Sequence, residues 1–317
     1  MGETLFPVLV TSRQDVTEDL FVLELKHPLG DELPAWSPGA HIDVQVGGND
    51  LRQYSIAGVH SDNRTWRLGI RKEADGRGGS AWIHENALEG KEIMVGGPRN
   101  HFEYTPGTGQ PVTFIAGGIG ITPLLPMIDR AIADNRPWHL HYVGSSLTNM
   151  PFLAELASHG DAVTLYPRDT SPRPDVNSII LELSFGAAVY SCGPEPLMEQ
   201  VEKCGHDRPD LDVNVERFSP REIGEDRGLD TFEVEFNYSE KTAQIGPDQS
   251  ILQAARDLGI EVVSSCQEGT CGSCETPVMK GTPIHLDSVL SEKERAESAC
   301  MMICVSRSLS ERLVLDM

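Results

Sequence analysis

No stretch of this 317-residue chain is apolar over the roughly 18–20 residues that a helix needs to cross a bilayer. The opening residues, MGETLFPVLV, lack the basic segment and apolar run of a secretory signal. MGETLF also lacks the Ser or Thr that a myristoylation signal carries at its sixth position. A cytoplasmic protein with no membrane attachment is expected. Basic residues are scarce: 26 Lys and Arg stand against 48 Asp and Glu, a net charge of −22. That excludes the cationic surface on which nucleic-acid binding depends. It keeps the chain soluble and steers towards it any partner with a positive patch. No internal repeat or low-complexity tract is present. The cysteines number seven, an odd count in a chain without a secretion signal. A disulfide framework is therefore not expected, and ligation or catalysis is.

What is present divides into three blocks, as the length predicts for a chain too long for one core. Residues 1–108 hold short runs such as LFVLELKH, HIDVQV, RQYSIAG and TWRLGIRK, punctuated by Gly, Pro, Asn and Asp. This is the pattern of an antiparallel β-barrel, with one helix over Ser80–Leu88. Residues 109–225 alternate strand and helix: PVTFIAG, TPLLPMIDRAIAD, WHLHYVG, NMPFLAELASH, AVTLYP, VNSIILELS, AAVYSCG, PEPLMEQVEKCG and LDVNVERF. Such alternation predicts an α/β domain with a parallel sheet. SPREIGEDRG, Ser219–Gly228, reads as a polar linker. Residues 226–317 begin with a hairpin, TFEVEFNYSEKTAQIG. The helix SILQAARDLG follows, with Ser250 as N-cap and Gly259 past its end.

After that helix comes SCQEGTCGSC. Cys266, Cys271 and Cys274 stand in a C-x4-C-x2-C pattern, and Cys304 follows after 29 intervening residues. This is the plant-type [2Fe–2S] spacing, in which four thiolates converge on two irons, three of them from one tight loop. Gly269 and Gly272 permit turns that a Cβ would obstruct. Backbone N–H groups of such a loop can point at the sulfurs and stabilise the reduced cluster. Zinc sites usually pair two C-x2-C knuckles, and only one occurs here. Residues 226–317 resemble a plant-type ferredoxin domain, which has a β-grasp fold. In that likeness MMICVSRS is the fourth-ligand segment and Cys304 the ligand, while Cys300 would be a small buried hydrophobe.

TFIAGGIGITPLLPM runs strand, glycines, helix. Gly117, Gly118 and Gly120 let backbone approach a pyrophosphate, and a helix starting near Thr122–Pro123 directs free N–H groups at it. GGIGITP together with SCGPEPLM resembles the pyridine-nucleotide domain of the ferredoxin–NADP+ reductase superfamily. The resemblance implies that Gly118, Gly120 and Thr122 carry the pyrophosphate, and that Cys192 and Gly193 lie by the nicotinamide. VGSSLTNM holds no basic residue to pair a ribose 2′-phosphate, so NADH is expected in preference to NADPH.

The same superfamily uses R-x-Y-S as a flavin motif, present here as Arg52, Tyr54 and Ser55 in RQYSIAG. The likeness places Arg52 by the flavin phosphate and Tyr54 and Ser55 by the ring. Gly78, Gly79 and Ser80 precede a helix and supply a second anion site. Ile70 and Arg71 in LGIRKE fall where relatives approach the flavin. His84, in the helix after Ser80, is the first candidate for a histidine near the flavin. Phe218, closing VNVERF, matches an aromatic that stacks on the flavin.

The order of the three blocks resembles the phthalate dioxygenase reductase family, which implies FMN rather than FAD. NADH gives up two electrons as a hydride, and an iron–sulfur cluster accepts one. A flavin does both, so it stands between them in electron order. The resemblance implies a reductase component passing electrons from NADH through FMN and [2Fe–2S] to a separate Rieske-type non-haem iron oxygenase or demethylase. Cys192 and Phe218 would then lie where hydride is transferred, and no general acid or base is required. The ferredoxin block, with 16 acidic and 8 basic residues, offers an acidic face to a basic oxygenase patch. A reductase serving a cytochrome P450 is the alternative, although no haem domain is attached. A ferredoxin-type carrier or sensor is a second one, against which the intact GGIGITP and RQYS segments argue.

Overall fold

The computed structural model describes residues 5–48, 50–58, 63–73, 76–221 and 230–317. The chain forms two compact units, one of Leu5–Phe218 and one containing Ser219–Met317. The blocks expected over 1–108 and 109–225 thus share one unit. The boundary expected between 225 and 226 lies outside the described residues.

In the larger unit, β1 (Phe6–Asp15), β2 (Leu20–Lys26), β3 (His41–Val46), β4 (Asp50–Ser55), β5 (Trp66–Arg71) and β6 (Glu92–Arg99) form an antiparallel sheet. Its order is β4-β3-β6-β1-β2-β5. A bridge between Ile56, just past β4, and Leu68 of β5 joins the two edge strands and closes the sheet on itself. Closure removes the free edges that an open sheet presents to other chains. Phe21, Leu23, Ile42, Trp66 and Leu68 are fully buried inside it. Helix α1 (Gly79–Asn86) crosses between β5 and β6 and sinks Ile83 into this core, one residue ahead of the expected start.

The second sheet is parallel: β7 (Val112–Gly117), β8 (Trp138–Gly144), β9 (Val163–Pro167), β10 (Ala188–Cys192) and β11 (Asp212–Glu216). VTFIAG and AVYSC are buried at every residue, which is why neither alternates in polarity: both faces of these central strands are covered. The connecting helices are α2 (Leu124–Ala133), α3 (Leu153–Leu156), α4 (Val176–Leu181) and α5 (Glu195–His206). NMPFLAELASH departs from the expected single helix. Only Leu153–Leu156 is α-helical, after Phe152 at φ 65°, and Ala157–Ala162 continues as 3-10 turns kinked at Gly160. Apolar spacing favours the helix there, and the two left-handed residues truncate it.

The order β11-β10-β7-β8-β9 reverses direction between β10 and β7. Ligands of open α/β sheets sit outside the carboxyl ends of the strands at such a switch point. Arg67 of β5 ties the closed sheet to this one. Its guanidinium makes two bonds, of 2.7 and 2.8 Å, to the Glu155 carboxylate and lies 4.9 Å over the Phe152 ring.

The smaller unit has the sheet order β13-β12-β18-β14-β16, from β12 (Phe232–Phe236), β13 (Lys241–Ile245), β14 (Glu275–Lys280), β16 (Cys300–Met302) and β18 (Arg312–Leu315). A two-stranded ladder joins β15 (Pro283–Ile284) to β17 (Arg307–Ser308). The pair β12–β18 is parallel and its neighbours antiparallel, the β-grasp arrangement. FEVEF alternates buried and half-exposed, as a one-sided sheet requires. Helix α6 (Ile251–Asp257) covers that side, N-capped by Ser250, whose Oγ accepts from the Gln253 N–H at 3.1 Å. Helix α7 (Glu292–Glu297) starts with a reciprocal Ser291–Glu294 capping box.

All four tryptophans (Trp36, Trp66, Trp82 and Trp138) belong to the larger unit. Phe236 is fully buried in the smaller one. Phe236→Ala is expected to cost about 3–5 kcal/mol. In denaturant, part of the far-ultraviolet circular dichroism should then be lost earlier than in the wild type, with the tryptophan fluorescence transition unmoved. A common shift of both signals would show that the units do not unfold independently.

Candidate functional site

At the switch point β7 and β10 approach so closely that glycine is obligatory. A Cβ on Gly120 would stand 2.3 Å from the Cys192 carbonyl oxygen, and one on Gly193 2.9 Å from the Gly117 Cα. Gly118 takes φ +56°, where L side chains are strained. Gly118–Ile121 forms a 3-10 turn that runs into α2, so helical N–H groups begin four residues before the expected helix start. Tyr142 donates its hydroxyl to the Gly118 carbonyl at 3.1 Å and braces the turn. Thr122 is buried. Its hydroxyl donates to the Ile119 carbonyl at 2.9 Å, and a Cβ on Gly69 of β5 would meet its methyl at 2.7 Å. Thr122 therefore shapes the turn through its side chain and faces a ligand only through its backbone.

Arg71 ends β5 with its Nη1 3.6 Å from the Cβ position of Gly118. Its Nε is buried and makes no hydrogen bond. Arg52 of β4 lies against the start of α1, since a Cβ on Gly79 would fall 2.6 Å from its Cγ and Nε. Gly78, the α1 N-cap, takes φ 80°, and no side chain caps the helix. The Ser80 Oγ accepts from the Glu73 N–H at 2.9 Å, which leaves its own proton to donate. Tyr54 is half-buried on the closed sheet's core and Ser55 is buried; burial pushes the Tyr54 hydroxyl pKa up. These groups fit a flavin: an uncapped helix N-terminus and a guanidinium for a phosphate, and a half-buried aromatic for a ring. Ile70 points its whole side chain into the core, so its backbone alone is available to a ligand. His84 packs its ring edge-on against Phe21 at 5.4 Å, and its carbonyl accepts from Arg13 at 2.6 Å, a structural position.

Cys192 is completely buried, which pushes its thiol pKa well above the ordinary range. Beside it in register on β11 stands Glu216. Burial raises its carboxyl pKa to about 8, and Oε2 is buried without a hydrogen-bond partner although part of the residue reaches the surface. Next in the chain, Arg217 turns the other way and bonds Glu195 (2.9 Å) and Glu202 (2.6 and 2.8 Å) of α5. That double anchor fixes the strand end from which Glu216 and Phe218 project. Phe218 is 44% exposed, an uncovered ring at the end of the unit. Glu216 escaped sequence reasoning; its only signal was a carboxylate two residues before the aromatic, at the end of a strand.

In the smaller unit Cys266, Cys271, Cys274 and Cys304 are all buried, and Cys300 is half-exposed. The Sγ of Cys266 accepts from the Glu268 N–H (3.3 Å) and the Thr270 N–H (3.4 Å), and the Sγ of Cys271 from the Cys266 N–H (3.4 Å). Gly269 and Gly272 both take positive φ, and a Cβ on Gly269 would meet Val305 at 2.7 Å. The thiols stand as two hydrogen-bonded pairs. Its contact with Cys271 holds the Cys266 pKa down to about 5, and contact with Cys304 likewise lowers that of Cys274. No three His, Cys, Asp or Glu side chains among the described residues surround a single-ion position. Two sulfurs beside two sulfurs is instead the division that a two-iron cluster takes. Cys300 pairs on β14 with Pro277, and burial first, then Glu275, raises its thiol pKa to about 11.

Residues 234–308 match the 2Fe-2S iron-sulfur cluster binding domain. Phenoxybenzoate dioxygenase subunit beta of Ectopseudomonas oleovorans is 39% identical over 95% of this chain and 93% of its own. The solved structure of phthalate dioxygenase reductase, described as a modular structure for electron transfer from pyridine nucleotides to [2Fe-2S], is 31% identical. It covers 99% of this chain and 98% of that one, with a TM-score of 0.70. The chain belongs to the phthalate dioxygenase reductase family. Full-length CYP116B46 from Tepidiphilus thermophilus is 38% identical over 99% of this chain at a TM-score of 0.85, and this chain spans 42% of its length. As a member of this family the protein is an oxidoreductase, the reductase component of an oxygenase system, and it works with a flavin, a [2Fe–2S] cluster and a pyridine nucleotide. No helix among the described residues is long and apolar enough to cross a membrane.

The raised Glu216 pKa predicts a pH-dependent stability. A carboxyl whose pKa rises on folding favours the native state below its unfolded value, and that stability is lost as pH rises through the folded value. Native stability should fall between about pH 5 and pH 8 through this group, and Glu216→Gln should flatten the slope. Urea titrations of both proteins at several pH values check this; parallel profiles would show that Glu216 is already ionised.

Proposed function

We propose that the protein carries electrons from NADH through FMN and a [2Fe–2S] cluster to a Rieske-type non-haem iron oxygenase. The observation that supports the reading is that Gly118, Arg71 and Cys192 lie at one reversal of strand order within one compact unit, which Phe218 ends. A bound flavin supplies the exchange between two-electron and one-electron steps that neither of the other groups performs. The chain's residues position the reactants. The turn at Gly118 and Gly120 holds the nucleotide pyrophosphate by its backbone, and the Arg71 guanidinium balances its charge. Gly193 and the backbone of Cys192 leave room for the nicotinamide. Arg52, Gly78, Gly79 and Ser80 hold the flavin phosphate at the start of α1. Tyr54, Ser55 and the backbone of Ile70 border the ring, and Phe218 covers its open face until nicotinamide enters. FMN rather than FAD follows from the family likeness.

In the smaller unit Cys266 and Cys271 hold one iron, Cys274 and Cys304 the other, with loop N–H groups stabilising the sulfurs. A cytochrome P450 acceptor is the second reading. It is favoured by the 38% identity and TM-score of 0.85 to CYP116B46 across nearly the whole of this chain.

Anaerobic titration of the holoprotein with NADH should bleach flavin and cluster absorbance together and take up about three electrons. Bleaching of the flavin alone would remove the relay. Cys304→Ser should lose the cluster's visible and EPR signals, while Cys300→Ser keeps them; the reverse would move the fourth ligand to Cys300.

A further inference from the structure

Between β15 and α7 the smaller unit buries a carboxylate. Of the acidic residues described, only Asp43 and Asp287 are buried, both completely. Asp43 is held by the side chains of Arg99 and Gln53. Asp287 has no such bond to a side chain. The Arg295 Nη2 lies 3.8 Å from its Oδ1 and the His285 Nδ1 3.9 Å from its Oδ2, both beyond hydrogen-bond reach. Oδ2 makes no hydrogen bond, and neither does either ring nitrogen of His285. A carboxylate left in this way is costly to bury, so what it does there calls for an account.

Its backbone partners supply one. Oδ1 accepts from the Val289 N–H (2.9 Å) and the Leu290 N–H (2.8 Å). Arg295 of α7 donates Nε to the Leu290 carbonyl at 3.0 Å and Nη2 to the Asp287 carbonyl. The turn Asp287–Leu290 is thus tied at both ends. From it the Ser288 N–H reaches the Gly269 carbonyl at 2.7 Å. Gly269 lies in the loop between Cys266 and Cys271, and it packs directly on the turn. A Cβ there would stand 3.0 Å from the Asp287 Cα and 3.3 Å from its Cβ. The N–H of the same glycine bonds the Cys304 sulfur. One loop residue is therefore gripped through its carbonyl by the Asp287 turn, and through its N–H it meets the fourth cysteine.

We propose that Asp287 sets the reduction potential of the [2Fe–2S] centre, its buried charge beside Gly269 lowering that potential while its turn keeps the Gly269 N–H on Cys304. The inference rests on ligation by Cys266, Cys271, Cys274 and Cys304. Net charge and hydrogen bonds to sulfur are what tune such a centre. A fixed negative charge away from water opposes the arrival of an electron, and little solvent lies between to screen it. Arg295 acts as the counterweight, a guanidinium close to the same carboxylate but not bonded to it.

Potentiometric titration of the holoprotein, followed by EPR at fixed ionic strength, tests this on the wild type, Asp287→Asn and Arg295→Gln. Asparagine keeps an oxygen for the Val289 and Leu290 N–H groups and removes the charge. The cluster signals should remain, and the one-electron equilibrium should move about tenfold towards the reduced form, a rise of about 59 mV. Arg295→Gln removes the opposing charge and should move the potential the other way. A merely structural role would loosen the loop in both variants and shift both in one direction. Unmoved potentials, or shifts of the same sign, overturn the proposal. Should Asp287→Asn assemble no cluster, the sign in Arg295→Gln decides, and a rise or no change there overturns it. A wild-type holoprotein without the EPR signal of a reduced [2Fe–2S] centre would instead overturn the ligation itself.

Discussion

The contact on which the larger unit depends is the near touching of two backbones, β7 and β10, at their carboxyl ends. Gly117, Gly120 and Gly193 meet there at distances no side chain tolerates: a Cβ on Gly117 would fall 2.5 Å from the Pro194 ring, and one on Gly120 even closer to the Cys192 carbonyl. This closeness gives the switch point its shape. It leaves a floor of main-chain N–H groups at Gly118–Ile121, where the dinucleotide is proposed to lie, with Cys192 and Glu216 paired in register beside it. Side chains around it hold that floor in place. Tyr142 braces the turn from β8, Thr122 meets Gly69 from below, and the Arg67–Glu155 pair fastens the closed sheet alongside.

Some helix starts are closed by a side chain and others are not. α4, α6 and α7 begin with Asp175, Ser250 and Ser291, each accepting a backbone N–H. α1, the turn at Gly118, and α5 begin with Gly78, Gly117 and Pro194, and no side chain closes them. Uncapped N–H groups cost stability unless an anion meets them. The uncapped ends adjoin Arg52, Arg71 and Cys192, where flavin and nucleotide are proposed to bind. α3, which starts after Phe152, is uncapped as well.

The charge distribution follows a similar logic. Against a strongly acidic background, arginines are used singly and with definite partners. Arg217 is clamped by two glutamates to orient the strand end, while Arg71 keeps a buried Nε without a hydrogen bond. Arg168 and Arg173 have no partner at all among the described residues.

The cluster loop was legible in the sequence because ligation chemistry imposes a short, rigid spacing, and the Cys266–Cys274 segment could satisfy it only by a local turn. Strands of both units were legible too, because burial on one face or two writes alternation or its absence directly into FEVEF of the smaller unit and VTFIAG of the larger. The truncated helix after Met150 was not, since Phe152 and Gly160 break it through backbone conformation rather than polarity. Glu216 was invisible for a different reason. Its property comes from burial beside β10, which local sequence does not record. The sequence by itself determined the elements, the cysteine set and the glycines. Only the tertiary structure decided which strand ends lie side by side, because strand order in a parallel sheet is set by crossover connections and not by local pattern.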